Sequence, residues 1–148
     1  MNRLALALAG IAAAVSAPTL ALEHTVVIEH DAGPIAADYR GTVTITTAQT
    51  GTVGAAGRPS TLACRWSAKL SVERAADLAK AVKSHRTLTR DNVAKGTRSG
   101  WCETNAKAID KLVDGRREEF RRSMMALVEI DRAALLAEAD SAAATPRG

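Results

Sequence analysis

Aromatic residues are almost missing from this chain. Tyr39, Trp66, Trp101 and Phe120 are the whole set, 3% of 148 residues. Histidine is as scarce, with only His24, His30 and His85, and cysteine occurs twice, as Cys64 and Cys102. Each shortage removes a class of function. Two cysteines far apart cannot form the C-x-x-C of a thioredoxin-like site, and no His/Cys cluster offers the four ligands of a structural zinc. No G-x-S-x-G elbow is present, since Gly96-Thr-Arg-Ser99-Gly100 has the wrong spacing. Gly51-Thr-Val-Gly54-Ala-Ala-Gly57 lacks the Gly-Lys-Ser/Thr of a phosphate loop and lies between strand-like segments rather than opening a helix. No cofactor and no metal are therefore expected. After the first 21 residues no apolar run approaches the ~20 residues that cross a bilayer as a helix.

What the chain does have begins at its N-terminus. Arg3 precedes an apolar run from Leu4 to Val15, Pro18 breaks it, and Thr19-Leu20-Ala21 places small residues at the −3 and −1 positions of a cleavage site. This is the pattern of a secretory signal. Residues 1–21 are expected to be removed, 22–140 to form one domain and 141–148 to be a disordered tail. The expected location is the periplasm or the exterior of a bacterium. In such an oxidising space an even cysteine count favours a disulfide, and Cys64 with Cys102 is the one intramolecular pairing available.

Period-two alternation marks three strands. Glu23–His30 holds the β-branched run Thr25-Val26-Val27-Ile28, and Asp31-Ala32-Gly33-Pro34 is turn chemistry. Tyr39–Thr47 sets Tyr39, Gly41, Val43 and Ile45 against Arg40, Thr42, Thr44 and Thr46. Thr61–Leu70 sets Leu62, Cys64, Trp66, Ala68 and Leu70 against Ala63, Arg65, Ser67 and Lys69. A glycine-rich hairpin loop, Gln49–Pro59, joins the last two. From Ser71 the reading changes to helix, with a stripe of Ala75, Leu78, Ala79 and Val82 ending near Ser84. A second, long helix is expected from Trp101–Cys102 towards Ala139, with a stripe of Ala106, Ile109, Val113, Phe120, Met124, Leu127 and Leu135. Gly115 lies inside it, and continuity with a bend is expected there because the apolar phase is kept. Strands followed by helices imply an α+β fold, a three-stranded antiparallel meander with two helices packed on one sheet face. Trp66 and Trp101 flank the two cysteines, so the disulfide is expected to draw both indoles together as a hydrophobic centre or as the lining of a pocket.

Charge is the other distinctive feature. Lys80, Lys83, Arg86, Arg90, Lys95 and Arg98 are opposed only by Asp91, a local excess larger than the whole chain's net +4. Cations near a helix C-terminus suit its dipole, and the same cluster attracts anions. The partner classes this suggests are an anionic envelope component (a lipid headgroup, lipopolysaccharide or glycan) or an acidic protein. Nucleic acid is not expected, because the segment has no aromatic residue on which bases could stack. The Arg116–Arg122 charge run reads as a solvated face around Phe120. A homodimer through the long helix is the other use of that stripe, weakened by Arg116 and Ser123 in the heptad seam.

Catalytic signals are thin. His24 and His30 share a strand face but lie six residues apart, nearly ~20 Å, too far to hold one ion jointly. His30 beside Asp31 is half of a Ser–His–Asp set with no designated serine. Thr42-x-Thr44-x-Thr46 is a single threonine ladder, where ordered-water binding needs stacked copies. The sequence points to a small exported, disulfide-stapled, non-enzymatic binding or interaction protein of the cell envelope. The alternative is a small periplasmic hydrolase or envelope-processing enzyme, whose site would be assembled in space from His30 or His85 with a serine and a carboxylate.

Overall fold

The alternation that begins near Thr61 does not stop at Leu70. In the computed structural model, which describes residues 20–78 and 81–145, it runs on through Val72, Arg74 and Ala76 as a single strand. The described residues form four strands, β1 (Leu20–Ile28), β2 (Ile35–Thr50), β3 (Ala63–Asp77) and β4 (Lys83–Ser99), and two helices, α1 (Cys102–Asp114) and α2 (Arg117–Ala144). The sheet is an antiparallel meander in the order β1-β2-β3-β4. Both helices pack on one of its faces, so the α+β class and the one-sided helix layer expected from sequence are present.

The expected three strands are four. Of the helix read over Ser71–Ser84, Ser71–Asp77 is the far half of β3 and Lys83–Ser84 the start of β4, Ala79 and Lys80 lie outside the described residues, and the connector after it is the rest of β4. The reason is tertiary. Ser71–Asp77 pairs on one side with Thr42–Ala36 and on the other with Thr89–Lys83. Val72 and Ala76 bury their side chains under the helices. Alanine's helix preference of a few tenths of a kcal/mol per residue cannot compete with two ladders of backbone hydrogen bonds and a buried face. β4 escaped notice because it is an edge strand with polar residues on both faces. Its register slips opposite Ala68–Leu70, and Asn92 adopts a left-handed φ of 52° in that irregularity.

One face of the sheet makes the core. Leu22 from β1, Ile35, Ala37, Tyr39 and Val43 from β2, and Cys64, Trp66, Ala68, Leu70 and Val72 from β3 meet Ile109 and Val113 of α1 and Phe120, Met124, Leu127 and Leu135 of α2. Gly41 gives α2 a close approach, because a Cβ there would lie 3.1 Å from Met124 Sδ and 3.3 Å from Leu70 Cδ1. The glycine-rich segment closes the β2–β3 hairpin. At Gly51 (φ 83°) a Cβ would lie 2.1 Å from the Thr61 carbonyl oxygen, so no other residue fits that turn.

The long helix is interrupted at Gly115–Arg116, not continuous. Gly115 keeps a right-handed conformation and its N–H still reaches Lys111 O at 2.9 Å, while Arg116 N–H bonds Val113 O one step tighter. Apolar phase survives the break, since Val113 and Phe120 are both fully buried. α2 continues to Ala144 and so takes in the first residues of the segment read as a tail. At the other end, Leu20 is buried and pairs with Val43. A cut after Ala21 would take Leu20 and Ala21 out of β1. Residues 1–19 lie outside the described residues. No helix among those described is long and apolar enough to cross a membrane.

Cys64, on the helix-facing side of β3, is bonded to Cys102, the first residue of α1, with Cα atoms 4.8 Å apart. Gln49 at the end of β2 braces the same corner. Its Oε1 accepts from Cys102 N–H at 2.7 Å, and its Nε2 donates to Ala63 O at 3.1 Å and Gly100 O at 3.2 Å. That side chain supplies the helix N-terminus with the cap that Trp101 lacks. Across a 38-residue loop the cross-link is expected to stabilise by roughly 3–4 kcal/mol. Replacing both cysteines by serine should lower the unfolding free energy by about that amount, read from urea titrations, and reduction of the wild type should match it.

Candidate functional site

The most concentrated polar chemistry lies away from the cysteine pair, between β2, β3 and β4 and the second half of α2. Arg74 occupies a helix-facing position of β3 that alternation reserves for an apolar side chain. Asp131 occupies α2 one turn after Leu127 and one turn before Leu135. Both side chains are fully buried, and Arg74 Nη1 donates to Asp131 Oδ2 at 2.9 Å. Tyr39 Oη donates to the same oxygen at 3.0 Å, and Arg86 Nη1 of β4 donates to Oδ1 at 3.0 Å. Arg74 Nη2 reaches Ser84 Oγ at 2.7 Å and Glu138 Oε2 at 2.6 Å, and Ser84 also donates to Glu138. One buried carboxylate thus holds two guanidiniums and a phenol.

Charge balance explains why this arrangement persists. A buried guanidinium or carboxylate is tolerated only when paired and hydrogen-bonded. Burial, then the Asp131 charge and its hydrogen bond, push the Tyr39 hydroxyl well above its ordinary range. Burial acts to raise the Glu138 carboxyl, but the Ser84 hydrogen bond and the Arg74 charge outweigh it and hold that group below its usual value.

Sequence reasoning named Arg86 only within the basic cluster and missed Arg74, Ser84, Asp131 and Glu138, with Arg74 and Ser84 falling within the supposed helix. A signal was present. Arg74 interrupts the apolar face of a strand, and Asp131 fills the gap in the stripe that passes through Leu127 and Leu135.

The basic cluster is divided rather than gathered. Cross-strand partners share a face. Arg86, Arg90 and Arg98 oppose the inward residues Arg74, Leu70 and Cys64, while Lys83 and Lys95 oppose the outward residues Asp77 and Ser67. Arg86 is bound to Asp131, Arg98 Nε donates to Asn105 Oδ1 at 2.9 Å, and Lys83 pairs with Asp77. Arg90 and Lys95 are exposed and make no ion pair among the described residues. Lys80 lies outside the described residues.

The two tryptophans have different surroundings. Trp66 is 5% exposed. Its indole covers Gly96, where a Cβ would stand 2.9 Å from Nε1, and Arg116 lies 5.9 Å from the ring centroid. Trp101 is 52% exposed.

The histidines are scattered. His30 Nε2 lies 2.9 Å from Asp140 Oδ1, and its Nδ1 accepts from Ala32 N–H at 3.2 Å. That pair ties the β1–β2 turn to the end of α2. His85 faces outward opposite Ala75 and lines a groove of about 810 Å³ with Leu78, Val82 and Ala142. Ser84 borders the same groove, yet its hydroxyl is engaged by Glu138 and Arg74. Among the described residues no three His, Cys, Asp or Glu side chains converge as metal ligands. No protein-family model, no curated protein and no solved structure matches the chain.

Removing Asp131 strands two arginines, so Asp131→Ala should cost about 3–5 kcal/mol in urea unfolding. Tyr39→Phe, which removes one hydrogen bond to a charged group, should cost about 1.5–3 kcal/mol. The pH dependence has a definite sign at each end. Glu138 is lowered in the folded state, so its contribution is present above about pH 4.3 and fades as pH falls below that value. Tyr39 is raised, so its contribution is complete below about pH 10 and fades as pH rises further. Glu138→Gln should flatten the acid limb alone and Tyr39→Phe the alkaline limb alone, measured as urea midpoint against pH.

Proposed function

We propose that this chain is a small exported protein of the cell envelope that acts by binding rather than by catalysis, with the uncovered face of its sheet as the contact surface. The observation that carries the reading is the asymmetry of the sheet. One face is sealed by α1 and α2 and fastened by the Cys64–Cys102 bridge, while no described element covers the other. That open face is built from Thr42, Thr44 and Thr46 of β2, Arg65, Ser67 and Lys69 of β3, and Lys95 and Thr97 of β4, which occupy neighbouring outward positions.

The disulfide supports export, because such bonds persist in oxidising compartments. Binding is favoured over hydrolysis by where the reactive groups are engaged. Ser84 donates to Glu138, and the hydrogen bond from Ser84 and the Arg74 charge hold that carboxyl below its usual value, which makes it a weak base for activating a serine. His30 is held at the opposite edge of the sheet by Asp140 and a backbone N–H. A rigid, polar, uncovered sheet stabilised by its other face is a scaffold for recognition.

Expression of the full chain in a Gram-negative host tests the reading. The protein should appear in the periplasmic fraction, shortened by its N-terminal segment and two hydrogens lighter than the dithiol. Native mass spectrometry of protein purified from its own envelope should retain a bound component. Cytoplasmic retention with free thiols, or an empty protein that turns over ester substrates, would overturn it.

A further inference from the structure

Charge is not spread evenly over the open face. At outward ladder positions of the half that runs from Thr42 to Thr50 on β2, Ala63 to Ser71 on β3, and Lys95 to Ser99 on β4, the ionisable residues are Arg65, Lys69 and Lys95, with no carboxylate. Asp91 lies in the register irregularity of β4, off the ladder. At the other half, Glu23, Asp38, Glu73 and Asp77 stand against Arg40 and Lys83. Glu23 lies 4.0 Å from Arg40, and Lys83 pairs with Asp77, so the cations there are matched. No hydrogen bond or ion pair engages the side chains of Arg65, Lys69 or Lys95 among the described residues.

The positive half is also hollowed. A depression of about 540 Å³ is lined by Thr46, Arg65, Ser67, Lys95 and Thr97, with Trp66 at its floor. Arg65 pairs with Thr97 and Ser67 with Lys95, so the two cations are diagonal neighbours on adjacent strands. Lys69 stands four residues along β3 from Arg65, ~13 Å away at the rise of a strand. The result is a row of cations interleaved with hydroxyls.

We propose that this half of the sheet binds an anionic polysaccharide, a soluble chain of carboxylate- or sulfate-bearing sugars laid across β2–β4 over Arg65, Lys69 and Lys95. The proposal rests on the binding reading above and names its ligand. The three cations match repeated negative charges, and the threonine and serine hydroxyls match sugar hydroxyls. Trp66, the aromatic residue that borders the depression, faces inward and is 5% exposed, and no aromatic or large aliphatic side chain occupies an outward ladder position of this half. It therefore has neither the apolar groups that enter a bilayer nor the buried anchors on which protein interfaces depend. The carboxylates beyond Ser71 repel a polyanion and set the limit of its footprint.

The probe is alginate, a polyuronate, with neutral dextran and phosphatidylglycerol vesicles alongside, on the oxidised mature protein. Lysine acylation read by mass spectrometry should show Lys69 and Lys95 shielded by alginate and not by dextran or vesicles. Affinity electrophoresis in alginate should show a salt-sensitive retardation, weakened at least tenfold in an Arg65→Ala/Lys95→Ala double variant. An Arg90→Ala/Arg122→Ala double variant, with the same change in net charge, should bind as wild type. Equal loss in both variants would reduce the effect to net charge and overturn the site. Equal shielding by vesicles or dextran would overturn the ligand class. Shielding of both lysines by envelope extract but not by alginate would reject the polyanion while leaving the open face as the contact surface. Shielding by neither would reject both.

Discussion

The Asp131 carboxylate is the contact on which the arrangement of helix and sheet depends. Its two oxygens receive Tyr39 from β2, Arg74 from β3 and Arg86 from β4, so three strands are referenced to one atom group on α2. Apolar packing alone does not distinguish sharply between neighbouring placements of a helix on a sheet. A buried guanidinium that must meet its carboxylate does. With only Tyr39, Trp66 and Phe120 as buried aromatics, this core relies on Leu, Ile, Val and Met side chains, and polar contacts help to set its register.

Two fastenings at opposite ends of the helix layer share the work. At one end the disulfide and Gln49 hold the start of α1 against β3 and β2. At the other the Arg74–Asp131–Glu138 network holds α2 against β2, β3 and β4, and His30 adds a clasp from Asp140. Between them the sheet is backed along its length. A face backed in this way can remain open on its other side without losing its shape, which is what a recognition surface requires.

How much of this the sequence revealed follows from burial. Tyr39–Thr47 and Thr61–Leu70 were readable because one face is apolar and the other is not, and the cysteine pair was readable because only one pairing existed. Ser71–Ser84 misled because alanine scores as helix in isolation and the partner strands that override it lie some 35 residues upstream and only a few residues downstream. β4 was unreadable by periodicity, since an edge strand with arginines reaching inward and lysines outward has no apolar face to display. The basic cluster looked like one surface because neighbours in sequence were taken as neighbours in space. In a strand they alternate between faces, and the cations that share the open face, Arg65, Lys69 and Lys95, come from two strands.

The span of the polar network bears on when the chain can fold. Tyr39 and Asp131 are 92 residues apart, and Arg74 and Glu138 are 64 apart. Until α2 has been synthesised, the growing chain holds Arg74 and Arg86 without the carboxylates that permit their burial, and β2 and β3 without the helices that cover them. Contacts of such long sequence separation form late and slowly. Before α2 is made, the N-terminal two thirds therefore lacks the partners that its buried arginines and apolar sheet face require. For a protein exported as proposed, such a delay would favour an unfolded chain during passage through a membrane.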